Sequence, residues 1–195
     1  MPDTQDTARS RVTLHVVSSL DGFIASKDNS VAWLDAPGKV YEAGVSISAE
    51  ESAAFVKTID CYVLGSRTYA HALELGWPYG DTPTIVVTGR EWPSTRTSVE
   101  FYSGDLKTLV RSNLASRFRN IWLVGGAILC QRFLELGLVD EIRLTIAPAL
   151  LGDGLRLFGG LPSEQHWDLT NAVAYKNGFV ALTYARPGGA AGEAS

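Results

Sequence analysis

An apolar run, Ile121 to Val124, stops at Gly125-Gly126 and resumes as AILCQRFLELG, in which Leu129, Phe133 and Leu136 fall four and three apart. That spacing puts the three on one helix face, and a short apolar run bounded by turn residues reads as a buried strand. A strand that turns into an amphipathic helix across two glycines is one unit of an open, mostly parallel sheet, and no other stretch restricts the chain as much. Two residues without side chains at such a junction serve close packing, or they let something approach the backbone.

The same order repeats upstream. Val12 to Ser18 predicts a first buried strand. SAEESAAFVKTID predicts a helix, with Ser48 as N-cap and Glu51 completing a capping box. Strands follow at Tyr62 to Leu64 and Thr84 to Val87, with a short helix after Ser66 between them. Val99 to Tyr102 is a further strand, and Asp105 opens a helix that runs to Leu114. This alternation favours a mostly parallel sheet with helices on its faces. The last third is different: EIRLTIAPAL, HWDLTNAVAY and GFVALTYAR read as strands, and Lys176-Asn177-Gly178 as a tight turn between the last two. The fold expected is α/β, its central sheet finished by an antiparallel C-terminal hairpin. One domain is expected over 11–186, with flexible tails at 1–10 and 187–195.

Hydrophobic residues at 46% and charged residues at 19% allow this chain of 195 residues a sizeable core. A net charge of -4 without a basic run argues against nucleic acid and anionic membranes as partners. No apolar run is long enough to cross a bilayer, and the polar start MPDTQDTARSR lacks the core of a secretory signal, so a cytoplasmic location is expected. Cys61 and Cys130 sit in apolar runs without CxxC spacing and read as core residues. His15, His71 and His166 lack metal-ligand spacing, so no metal is expected. GxGxxG, GxxxxGK[ST] and GxSxG are all absent.

The junctions between strands and helices remain as places for chemistry. In VLGSRTYA, Gly65 ends a strand and Ser66, Arg67 and Thr68 open a helix. Free N–H groups, hydroxyls and a guanidinium together suit an anion. In VVTGRE, Thr88, Gly89 and Arg90 again follow a buried strand. With Gly125-Gly126 these make three phosphate-compatible turns, and ligands of open α/β sheets gather outside the carboxyl ends of the strands.

In order along the chain, SSLDGFIA, VLGSRTY, VVTGRE and VGGAILCQRFLELGLVDEIRLTIAPALLGDGLRLF resemble the dihydrofolate reductase-like fold. The closer likeness is to the reductase domain of riboflavin biosynthesis and its stand-alone relatives, over Val12 to Arg186. The resemblance implies a three-layer α/β/α fold and an NADPH-dependent reductase. It sets Val124, Gly125, Gly126, Ala127 and Ile128 along the cofactor's diphosphate, and Gly65, Ser66, Arg67 and Thr68 at the second phosphate turn. Thr88, Gly89 and Arg90 match the turn that recognises the adenosine 2′-phosphate, and Arg90 supports NADPH over NADH. Asp21-Gly22-Phe23-Ile24-Ala25 would lie against the nicotinamide, with Ala25 near the ring.

On the substrate side, Glu51 stands four residues before Phe55, the spacing of the buried carboxylate and ring-packing phenylalanine of dihydrofolate reductases. Glu51 is equally explained as a capping residue at a helix N-terminus. Asp21 and Asp35 are further candidate acids, and Asp153 falls in the loop that faces substrate in riboflavin-type reductases. Trp33 and Trp77 are candidates for stacking on a flat heterocycle. The stretch 33–46 fits neither family pattern. The substrate implied is a small planar heterocycle, pterin-like or a riboflavin-pathway pyrimidine, or a carbonyl compound. The alternative is a non-catalytic nucleotide-binding domain of the same fold. The zinc deaminase signatures H-x-E and PCxxC are absent, and a homodimer through the C-terminal ribbon is implied by resemblance.

Overall fold

Burial alternates along Arg11–Ser18 (β1), with Val12 and Leu14 fully buried on one side and Thr13 and His15 half-buried on the other. A strand with that pattern works on both faces of a sheet. The computed structural model describes residues 10–35, 39–90, 92–94 and 96–188. After β1 come β2 (Phe23–Ala25), a 3-10 turn (Ala32–Asp35), α1 (Ala49–Lys57), β3 (Cys61–Gly65), α2 (Ser66–Glu74), β4 (Thr84–Val87) and β5 (Val99–Tyr102). Then follow α3 (Leu106–Thr108), widening into a π-helix over Leu109–Leu114, β6 (Asn120–Gly125), α4 (Ala127–Glu135) and β7 (Glu141–Ile146). The chain closes with β8 (Leu155–Arg156), β9 (Asp168–Ala174) and β10 (Val180–Ala185).

Eight strands form one sheet in the order β5-β4-β3-β6-β1-β7-β10-β9. The first six are parallel, and β10 and β9 join antiparallel. All six parallel strands therefore end on one edge, and the hairpin turn reaches the same edge because Val180 pairs with Ile146. Gly178 takes φ +84 there, and Tyr175 and Phe179 close the turn.

Two apolar cores make three layers. One face of the sheet packs Val12, Leu14, Val63, Ile85 and Leu123 against Leu109, Leu114, Leu129 and Phe133 of the π-helix and α4. The other packs Tyr62, Leu64 and Val86 against Tyr69 and Ala72 of α2. Leu129 and Phe133 are buried as their spacing required, and Leu136 packs against the same cluster from the end of α4. Burying one such side chain stabilises by about 1.5–3 kcal/mol relative to leaving it exposed. Asp105 caps α3 as expected, accepting from the Thr108 amide at 2.7 Å.

Several expectations change. β7 stops at Ile146, before Pro148, and β9 begins at Asp168 rather than at His166. Ser10 is buried and its hydroxyl donates to the Phe118 carbonyl, so this residue packs with the domain and not with the tail expected over 1–10. The rest of the two expected tails lies outside the described residues, apart from Pro187 and Gly188. The ribbon of β2 and β8 had no sequence signal, being three residues against two. Among the described residues, no helix is long and apolar enough to cross a membrane.

Candidate functional site

Because β4, β3, β6 and β1 stand side by side, the turns after them form one row at the carboxyl edge. Gly65 and Gly126 are the N-caps of α2 and α4, and neither helix start has a side-chain cap. Their backbones meet: a Cβ built on Gly65 would lie 3.8 Å from the Gly125 carbonyl oxygen and 3.9 Å from the Gly126 nitrogen. A Cβ on Gly126 would lie 3.4 Å from the Thr68 hydroxyl. Gly125 takes φ +124, which favours glycine, and its peptide bond to Gly126 is cis. Val124 leads into this junction on the face of the second core.

Ser66 and Thr68 are half-buried beside it, while Arg67 is exposed; Ala127 is half-buried and Ile128 is 70% exposed. One strand further out, the Thr88 hydroxyl accepts from the Arg90 amide at 3.1 Å and shapes the turn that leaves Gly89 and Arg90 exposed. The three turns singled out in the sequence thus come together, with two guanidiniums and two open helix N-termini among them. Such a row suits a ligand with several phosphates.

Beyond β6, the loop after β1 is tied to the loop after β7. The Asp21 carboxylate accepts from the Ser19 hydroxyl at 2.6 Å, the Gly152 amide at 2.7 Å and the Leu151 amide at 3.1 Å. The Ser19 hydroxyl first, then the two amides, hold its pKa down to about 2. Asp21 is therefore ionised at neutral pH and fastens the two loops, so it has no proton to supply as a catalytic acid. Gly154 presses on β2, since a Cβ there would lie 2.2 Å from the Ala25 carbonyl oxygen, and Ala25 is buried. Asp153 pairs with Lys27 at 2.6 Å and accepts from the Gly154 amide at 2.7 Å, so its carboxylate latches the ribbon.

Over β6 and β1, an aromatic group stands on the sheet. His15 stacks on Trp122 at 4.8 Å, and Phe55 of α1 meets the His15 ring edge-on at 5.2 Å. The Trp122 indole N–H donates to the His15 carbonyl at 3.0 Å. Arg143, registered against His15 on β7, lies 4.8 Å over the Phe55 ring. Burial first, and the Arg143 charge second, push the His15 pKa down to about 4. Its Nδ1 is enclosed without a hydrogen-bond partner. His15, Trp122 and Arg143 were not singled out by spacing; only the half-buried alternation of β1 and the register of β7 bring them together.

The other candidates divide. Trp77 is 6% exposed, its indole N–H donates to the Gly80 carbonyl at 2.8 Å, and Tyr69 and Tyr79 pack on it edge-on. It is a core residue of α2's layer and is not available to stack on a substrate. Trp33 is half-buried in the 3-10 turn with its indole N–H enclosed and unpartnered, and Asp35 ends that turn exposed. The Glu51 side chain lies outside the described residues, so neither its catalytic nor its capping reading is decided. Residues 39–46 of the unmatched stretch run along the hairpin tip, where the Tyr41 amide donates to the Lys176 carbonyl and Val45 pairs with Tyr175.

The RibD C-terminal domain family model matches residues 10–181. The chain is 32% identical to the uncharacterized protein YwjB of Bacillus subtilis over 178 residues, 90% of this chain and 98% of that one. A solved structure from Shewanella sp. PV-4, named for riboflavin biosynthesis, is 26% identical with a TM-score of 0.77, covering 90% of this chain and 98% of that one. The dihydrofolate reductase of Enterococcus faecalis, solved with NADP(H), shares the fold at 16% identity and a TM-score of 0.59, over 91% and 96%. With a three-layer sheet, an antiparallel edge and these likenesses, the chain belongs to the RibD C-terminal domain family, whose fold is that of dihydrofolate reductase.

Proposed function

We propose that the chain is an NADPH-dependent reductase acting on a small planar heterocycle, pterin-like or pyrimidine-like, or on a carbonyl compound. One observation carries the reading: α2 and α4 begin side by side at bare glycine N-caps. Their first-turn N–H donors and dipole ends suit a diphosphate, whereas α3 spends its cap on Asp105.

The Gly126 backbone, the Ser66 and Thr68 hydroxyls and Arg67 would hold the diphosphate. Arg90 would meet a phosphate on the adenosine ribose and so separate NADPH from NADH. A cofactor laid from β4 across β3 and β6 ends at β1, beside Ala25. When bound, it supplies hydride from the nicotinamide C4. The substrate then lies over β6 and β1, on Trp122, His15 and Phe55. The loop fastened by Asp21 and Asp153 excludes water from the nicotinamide side. The proton reaches the reduced atom from water or from Glu51, since Asp21 is held ionised.

Titration with NADPH and with NADH, followed by quenching of tryptophan emission, tests the reading. NADPH is expected to bind with a Kd on the order of micromolar and NADH about tenfold or more weakly. Arg90→Gln should close that gap. If neither nucleotide binds, the reductase reading fails. A non-catalytic nucleotide-binding domain is the second reading, favoured by the structural use of Asp21. It would bind NADPH but consume none with any of a panel of pteridines, pyrimidines and carbonyl compounds.

A further inference from the structure

The His15 ring is a polar group set into the aromatic floor beside Trp122 and Phe55, and neither the fold nor the row of glycine turns accounts for it. A histidine in a packed aromatic cluster usually finds a partner for each ring nitrogen. Here Nδ1 is enclosed with none, and Trp122 covers one ring face at 4.8 Å. Phe55 meets the ring at 70° and 5.2 Å. The Nε2 edge is left as the way the ring can meet a ligand.

The charges around His15 decide which nitrogen carries the proton. Arg143, beside it on β7, is a donor only, and it is held by Glu141 at 2.6 Å through Nε. Glu141 is 3% exposed and also binds Arg11, so these three side chains keep a net positive charge on the His15 side of the sheet. That positive charge disfavours a second proton on the ring, in line with the low pKa. An N–H on the enclosed nitrogen would be a buried donor without an acceptor, so the single hydrogen of the neutral ring is better placed on the other nitrogen. The tautomer that results carries its hydrogen on Nε2.

We propose that His15 is the specificity-determining hydrogen-bond donor of the substrate cleft, selecting planar heterocycles that present a carbonyl oxygen or imine nitrogen to its Nε2–H. The proposal rests on the reductase reading for the identity of the cleft, but its test does not depend on turnover. A heterocycle with an amino group in that place would set donor against donor and leave both unpaired, which costs far more than the loss of one good contact.

The experiment compares two flat probes, lumazine, with carbonyl oxygens at its two pyrimidine positions, and 2,4-diaminopteridine, with amino groups there. Each is titrated into the full-length protein with and without NADPH, followed by tryptophan emission and by nitrogen-labelled histidine NMR. Lumazine is expected to bind about tenfold or more tightly than the diamino compound. The His15 nitrogens should report the Nε2–H tautomer and shift on lumazine binding. His15→Phe should preserve stacking and remove the preference, and His15→Gln, which keeps a donor that does not titrate, should retain most of it. An equal preference in His15→Phe, an unmoved His15 signal, or no binding of either probe would overturn the proposal. Loss of NADPH binding with the lumazine preference intact would instead sink the reductase reading alone.

Discussion

Replacing each glycine of the Gly125-Gly126 pair separates the fold from the function. Gly126 has φ -75 and ψ -173, a conformation open to any residue. The nearest heavy atom to an added Cβ is the Thr68 hydroxyl at 3.4 Å, an ordinary contact. Gly126→Ala should therefore change folding stability by less than about 1 kcal/mol. The added methyl group would still stand between the two helix starts, where a phosphate oxygen must approach the backbone. Losing one charge-assisted hydrogen bond there costs about 1.5–3 kcal/mol, or about a 10- to 150-fold weaker Kd for NADPH. Gly125→Ala is the contrast. At φ +124 a side chain is strained by about 1–3 kcal/mol, and its Cβ would sit 3.4 Å from the Cys130 sulfur. Thermal denaturation should show Gly125→Ala several degrees less stable and Gly126→Ala near the parent, with NADPH affinity lost in both. An unchanged NADPH Kd in Gly126→Ala would refute the reasoning, and so would a stability loss as large as that of Gly125→Ala.

Four further outcomes are expected. Phe133 is completely buried, so Phe133→Ala should cost about 3–5 kcal/mol in urea denaturation, and a loss under about 1 kcal/mol would mean that α4 does not pack as described. Gly154→Ala would drive a Cβ to 2.2 Å from the Ala25 carbonyl, so it should loosen the β2–β8 ribbon and weaken NADPH binding together; unaltered binding would separate that ribbon from the site. Burial pushes both Cys61 and Cys130 up to about 12, so a disulfide reagent should leave the native chain unlabelled until denaturant is added. His15 falls from 6.5 to about 4 on folding, so the unfolded chain binds its proton first as pH drops. Stability from this group is complete above pH 6.5 and is lost towards pH 4, by up to about 3 kcal/mol, and His15→Phe should flatten that part of the pH–stability curve.

The sheet and the row of strand-to-helix turns were legible because both depend on local signals. Apolar runs, a capping aspartate and glycines at strand ends each act over a few residues, and parallel pairing then sets Gly65 beside Gly126 without further instruction. What depended on register was not legible. The pairing of His15 with Arg143 spans 128 positions and follows only once β1 and β7 are neighbours. Between stacking on a ligand and packing in the core, the sequence could not settle Trp77 for the same reason: its loop gave no sign that Tyr69 and Tyr79 would enclose it. Asp21 looked like an acid beside the nicotinamide because the amides of Leu151 and Gly152, which neutralise its catalytic use, come from the far end of the chain.

Glu141, a buried acid among the described residues, is also structural. It starts β7 and Ile146 ends it, so the carboxylate stands about 16 Å, five residues of extended chain, from the edge where the glycine turns lie. It is committed to Arg11 and Arg143, and only with both partners removed would its buried charge be uncompensated. Asp140 beside it accepts from the Val12 amide and ties β7 to β1. These acids hold strands together. With Asp21 fastened to two loops and Asp153 to Lys27, the described carboxylates nearest the cleft are occupied in shaping it. On the reductase reading proposed above, what the chain would offer is a positively polarised cradle for phosphates, a flat aromatic floor and one imidazole N–H. Those groups would orient two flat rings against each other, the protein's share of the proposed reaction.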